Sequence, residues 1–231
     1  MAGNYRRNDF ADRESLAAAL AETVAGRLST EIRATQAASL AVSGGSTPAR
    51  FFEVLSNTGI AWDSVNLTLI DERYVPDTSP RSNAGLVKAR LLQNKAAAAH
   101  FLPLYRGGEL DADLKDAEHF LTTFFNPPDV AILGMGNDGH TASFFPDAKE
   151  LEHLLDPTSR DEIAAVHADS AGELRLTLTL SLIRRARFLA LHIEGAEKLE
   201  TLEKALAPGS QLPIRRVIDA ATSPVEIFWA P

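Results

Sequence analysis

The sequence predicts an α/β fold, a Rossmann-like, largely parallel sheet with helices on both faces. Three observations carry that expectation. Short apolar runs alternate with amphipathic segments along the whole chain. The runs are almost continuously apolar, as strands covered on both faces are. Glycine-rich or polar loops follow several of them, at the carboxyl ends where such sheets hold ligands. A chain of 231 residues suits a single domain spanning residues 1–231.

Each element has its own signal. Residues 12–36 place Leu16, Leu20, Val24, Leu28 and Ile32 four apart, one helical stripe. Residues 38–42 read as a short buried strand broken by Gly44-Gly45. A helix is expected from Pro48, where proline suits the first turn, to about residues 57–59. Residues 65–70 read as the next strand, and residues 71–82 as a polar loop. Helices are expected at 83–93 and 109–124. Residues 129–133 read as a strand entering the turn Gly134–Gly139. Further strands are expected at 162–167, 187–193 and 225–229, and a helix at 195–206 that stops at Pro208-Gly209. In residues 174–185 the alternation of Leu-Arg-Leu-Thr-Leu-Thr-Leu predicts a strand.

Composition excludes several classes. The chain has 23 Lys+Arg against 31 Asp+Glu, a formal charge of −8. Broad nucleic-acid or anionic-membrane binding needs a basic face, so neither is expected. A small anionic ligand held by a few local cations remains open. With no cysteine, thiol catalysis, disulfides and cysteine-held metal are excluded, and the chain suits a reducing cytoplasm. The N-terminal stretch lacks the apolar core of a signal peptide. Neither a His-Glu-x-x-His cluster nor a Gly-x-Ser-x-Gly elbow is present, so no metal and no serine nucleophile are expected.

Three loops hold the chemistry-bearing residues. Ser43-Gly44-Gly45-Ser46-Thr47 lies between a strand and a helix. Its glycines let backbone N–H groups approach an anion, and the helix N-terminus adds unpaired donors. Asp71-Glu72-Arg73 follows the second strand; Arg73 could clamp a phosphate or carboxylate in bidentate fashion. For Asp71 and Glu72 alone, the better expectation is a solvated charge cluster opening a surface loop. Gly134-Met135-Gly136-Asn137-Asp138-Gly139-His140 matches a dinucleotide fingerprint on paper. Pro146 interrupts the following segment too early for the long helix that fingerprint needs. The better feature is Asp138-Gly139-His140: histidine titrates near neutrality, and a carboxylate two residues back makes it a credible general base. Two further cations join the list. Arg175 could reach a phosphate, and Lys198 stands at a helix start, against the dipole, as though an anion were to be bound. No role is expected for His100, His119, His153, His167 and His192.

Taken together, these segments resemble the 6-phosphogluconolactonase family. The matching stretches are Ser43–Pro48, Asp71–Pro76 with Ser82-Asn83, Gly134–Pro146 and Arg175–Thr179, in the family's order and across the whole chain. The resemblance implies hydrolysis of 6-phospho-D-glucono-1,5-lactone to 6-phosphogluconate, a step of the oxidative pentose phosphate pathway, without cofactor or metal. It implies the fold shared with glucosamine-6-phosphate deaminase and ribose-5-phosphate isomerase, and a helix through the later part of 174–185. It casts His140 as the base that activates water, with Arg73 and Lys198 on the substrate or its phosphate. Asp71 is a cleft residue of open role. The only expected partner is the small sugar-phosphate lactone, and the chain is expected to be a monomer or weak homodimer. The related deaminase carries glutamate where Phe145 stands and tyrosine where Arg73 stands; both departures favour the lactonase. A sugar-phosphate-sensing domain on the same fold would need an N-terminal DNA-binding segment. This chain reaches its first helix by residue 12.

Overall fold

The computed structural model describes residues 4–231. In chain order the elements are β1 (Tyr5–Asp9), α1 (Arg13–Thr35), β2 (Ala38–Val42), α2 (Ala49–Ser56), β3 (Val65–Leu69), β4 (Asp71–Arg73), α3 (Asn83–Arg90), β5 (His100–Leu102), α4 (Leu110–Phe124), β6 (Val130–Leu133), α5 (Leu151–Leu154), β7 (Ile163–Val166), β8 (Arg175–Leu178), α6 (Leu180–Ile183), β9 (Phe188–Glu194), α7 (Ala196–Leu206), α8 (Pro213–Ala220) and β10 (Val225–Ala230). Seven strands form one sheet in the order β1-β10-β9-β6-β2-β3-β5, every neighbouring pair parallel. Three more, β4-β8-β7, form a small antiparallel sheet.

The strand order explains where a site can form. From β2 the chain builds outward through β3 and β5. It then returns to the other side of β2 with β6 and builds outward through β9 and β10. The reversal lies between β2 and β6, and at such a switch point the loops leaving the two strands diverge and open a crevice. Those loops carry Ser43–Thr47 and Gly134–His140.

Local chemistry accounts for the main elements. In α1 the Asp12 side chain caps the first turn by accepting from the Ser15 amide at 2.7 Å. Leu16, Leu20, Val24 and Leu28 are fully buried, and the helix packs on α2, β2 and β10. Every residue of β2 and β6 is buried, so both faces of the central sheet are covered. Burying a leucine of this kind contributes about 1.5–3 kcal/mol.

The structure corrects the expected elements at residues 71–82 and adds others that were not expected. Residues 71–82 are not loop throughout: Asp71–Arg73 form β4, paired with Thr177–Arg175 of β8. Asp71 is nearly buried and Glu72 has no exposed surface, so neither belongs to a solvated cluster; the pairing partner lies far along the chain, where local reading cannot find it. Residues 174–185 divide as the alternation and the resemblance together implied, with β8 followed by the one-turn helix α6. The edge strands β1 and β5 were not expected: β1 reads as polar, as a strand that exposes much of itself can, and β5 is only three residues long. The amphipathic α8 is equally unannounced; it buries Pro213, Ile214, Val217 and Ile218 within two turns.

Candidate active site

At the switch point lies a cavity of about 360 Å³. The residues expected in the cradle, Ser43 to Thr47, all line it. Asp71, Arg73, His140, Arg175 and Lys198 line it as well. Asp138 stands behind the imidazole and does not face the cavity directly. The structure thus gathers all the expected residues into one place, from β2, β4, β6, β8 and α7 or the loops that follow them.

The imidazole is held by its own loop. His140 Nδ1 lies 2.6 Å from Asp138 Oδ1, and the His140 amide donates to the same oxygen at 3.2 Å. A carboxylate only accepts, so in the neutral ring Nδ1 carries the proton and Nε2 keeps the lone pair. The loop closes on itself: the Gly136 amide donates to the His140 carbonyl at 2.9 Å, and Thr141 Oγ1 donates to the Gly134 carbonyl at 2.7 Å. A Cβ on Gly136 would stand 2.3 Å from the imidazole and 2.5 Å from Asp138 Oδ1. Only glycine lets the backbone pass that close.

Three cations line the same cavity. Arg73 and Arg175 are direct cross-strand partners in the antiparallel β4–β8 pair, so both side chains leave the same face of the small sheet. Like charges placed opposite each other destabilise a sheet. Arg175 is almost wholly buried, and that burial holds its pKa below the ordinary arginine range; Asp71 opposes the shift. The third cation, Lys198, sits in the first turn of α7 and reaches across to donate to the Met135 carbonyl. Its burial lowers the amine's pKa, against the pull of Asp138 and Glu194. Two arginines and a lysine turned into one cavity, in a chain of net charge −8, amount to a local anion site.

Unsatisfied polar atoms tell the same story. Among the described residues, six buried side-chain polar atoms have no hydrogen-bond partner, and four belong to residues lining this cavity: Ser43 Oγ, Arg73 Nε, Arg175 Nε and His192 Nδ1. Orphaned polar atoms are rare in folded proteins and concentrate where a ligand completes the set. No group of three or more His, Cys, Asp or Glu side chains among the described residues converges as a metal site needs.

Three residues that the sequence left without a role also belong here. Asn83 accepts from Arg73 Nη1 and donates to the Asp71 carbonyl at 2.8 Å, tying the arginine to the strand that carries it. It occupies the space a Cβ on Gly44 would take, with its Oδ1 at 2.0 Å from that position. His192 lies buried near the end of β9, its Nε2 3.1 Å from Glu194 Oε1 and its ring edge-on to Phe51. The readable signal was a histidine inside the apolar run Phe-Leu-Ala-Leu-His-Ile, close to the carboxyl end of the strand. Phe145 lines the wall beside His140.

Residues 11–229 match the family model described as glucosamine-6-phosphate isomerases/6-phosphogluconolactonase. The chain belongs to that family. Within it, a 6-phosphogluconolactonase of Mesorhizobium japonicum is 57% identical over 99% of this chain and 96% of its own. One from Rhizobium meliloti is 47% identical over 96% of this chain and 97% of its own. The crystal structure of a 6-phosphogluconolactonase from Shewanella baltica, 38% identical, superposes with a TM-score of 0.93 and covers 98% of each chain. The family's shared features therefore extend over the whole fold described above, both sheets included. No helix among the described residues is long and apolar enough to cross a membrane.

Proposed function

We propose that this chain hydrolyses 6-phospho-D-glucono-1,5-lactone to 6-phospho-D-gluconate, with His140 activating water and the cations holding the phosphate. One observation carries the mechanism. An imidazole whose Nδ1 is fixed on Asp138 shares a single cavity with three inward-facing cations. The phosphate sits among Arg73, Arg175, Lys198 and the amides of Ser43–Thr47, and this remote binding orients the reacting carbonyl. Nε2 of His140 takes a proton from water as its oxygen bonds to C1. Asp138 stabilises the imidazolium that forms. When the bond from C1 to the ring oxygen breaks, the imidazolium returns the proton to that oxygen.

A direct assay separates this reading from its rivals. The purified chain is offered freshly prepared lactone and, separately, glucosamine 6-phosphate. Acid release from the first without ammonia from the second is expected. His140→Ala should lower kcat by roughly 10²–10⁴, the usual scale for one general base. Ammonia release would point to deaminase chemistry. Tight sugar-phosphate binding with neither reaction would point to a sensor. Near wild-type turnover in His140→Ala would remove the base assignment.

A further inference from the structure

The imidazole has two supports, and only one of them is a hydrogen bond. The ring of Phe145 lies against His140 with centroids 4.4 Å apart and planes inclined by 35°. The same phenyl ring holds the Arg175 guanidinium carbon 5.5 Å from its centroid. Phe145 is itself fixed. It is 5% exposed, its carbonyl accepts from the Ala148 amide at 3.0 Å, and the turn before it is closed by the Phe144 amide on the Thr141 carbonyl at 3.0 Å.

A single in-plane hydrogen bond leaves a ring free to swing about the line from its nitrogen to the acceptor. A flat partner across the ring face removes that freedom. A phenyl face also attracts a cation, and does so more strongly where water is excluded. The neutral imidazole gains little from this face; the imidazolium formed when His140 takes a proton gains more. The contact therefore strengthens on the way to the transition state, which is the condition for raising kcat rather than only lowering KM.

We propose that Phe145 is a positioning residue for His140: its ring face holds the imidazole plane so that Nε2 meets the attacking water, and it stabilises the imidazolium that results. The assignment rests on the reading of His140 as the base. Asp138 at Nδ1, Lys198 beside Asp138 and Arg175 across the phenyl ring are the charged groups that share this environment.

The test compares Phe145→Leu, which keeps apolar bulk and loses the π face, with Phe145→Tyr, which keeps the face. Phe145→Leu should lower kcat about tenfold with KM within about twofold, and Phe145→Tyr should keep kcat within about threefold of wild type. Ring ¹⁵N NMR of His140 should show the Nδ1-protonated tautomer in all three proteins, because Asp138 sets it, with the ring signals broadened only in Phe145→Leu, where the ring plane is free to swing. A wild-type kcat and unchanged ring spectrum in Phe145→Leu would overturn the proposal. So would a loss confined to KM, which would mean that Phe145 serves Arg175 instead. Equal losses in both variants would reduce Phe145 to filler. Should Phe145→Leu not fold, Phe145→Met fills a similar volume without a π face and answers the same question. His140→Ala assayed in parallel keeps the two readings apart: an active His140→Ala would sink the base, whereas an inactive His140→Ala beside a fully active Phe145→Leu would sink only this proposal.

Discussion

At the scale of single residues, the site depends on atoms that are missing as much as on those present. Gly44 and Gly136 are required because a Cβ on either would occupy space already held by Asn83 or by the His140–Asp138 pair. Asn83 is buried and bonded on both its amide atoms, so it has nowhere to retreat. Gly44→Ala should therefore push Asn83 off Arg73. The expected result is a kcat/KM at least tenfold lower, with a stability loss of about 1–3 kcal/mol, the usual scale for an overpacked site. Steady-state kinetics and denaturant unfolding on the same preparation check both halves; an unchanged kcat/KM would show that Arg73 does not need Asn83. The sequence made Gly44 and Gly136 conspicuous, but for Gly44 it showed only one of two reasons. It read as freedom to bind an anion, and the structure adds the close approach of a side chain from α3.

At the scale of elements, Glu72 sets how the β4–α3 segment is folded. Its two oxygens accept from the Arg73, Asn83 and Ala84 amides and from Ser82 Oγ, at 2.7 to 2.9 Å. Burial pushes its pKa up, and these four donors pull it back. The carboxylate thereby caps α3 and fixes the turn that presents Arg73 and Asn83. Glu72→Gln turns one acceptor oxygen into a donor facing other donors. At least one buried N–H then loses its partner, so a loss of roughly 1–3 kcal/mol is expected. Because Arg73 is carried on the same segment, KM should rise as well. Wild-type stability by denaturant titration would contradict the capping role. None of this was legible beforehand. Two acidic residues opening a polar stretch have the composition of a surface loop, and only the pairing of β4 with β8 buries them.

At the scale of the whole molecule, an acidic protein surrounds a basic cavity. Inorganic phosphate should compete with substrate, and Lys198→Met should weaken that competition. Lys198 binds anions only while protonated, and burial lowers its pKa. As pH rises through that lowered value the charge is lost, so phosphate binding should begin to fail at a lower pH than for a solvent-exposed lysine. Calorimetric titration with phosphate between pH 7 and about 10 would show this step in the wild type and its absence in Lys198→Met; a pH-independent affinity would count against it. A ligand that binds only the folded state also stabilises it, by about 2.7 kcal/mol at a hundredfold excess over Kd. Phosphate should therefore raise Tm in the wild type and do so less in Arg175→Ala.

The central strands β2, β3, β6, β9 and β10 and the helices α1, α4 and α7 were determined by the sequence alone, because buried strands and amphipathic helices leave periodic apolar patterns over short windows. The two glycine-rich loops, at 43–47 and 134–140, were legible because glycine clusters after an apolar run are a local signal. What tertiary structure decided was register and depth. It set Arg73 opposite Arg175, buried Glu72 as a cap, and laid Phe145 on His140. It also paired the edge strands β1 and β5, the first too polar and the second too short to carry an apolar signature. Those outcomes depend on which distant backbone hydrogen-bonds with which, and no local period encodes that choice.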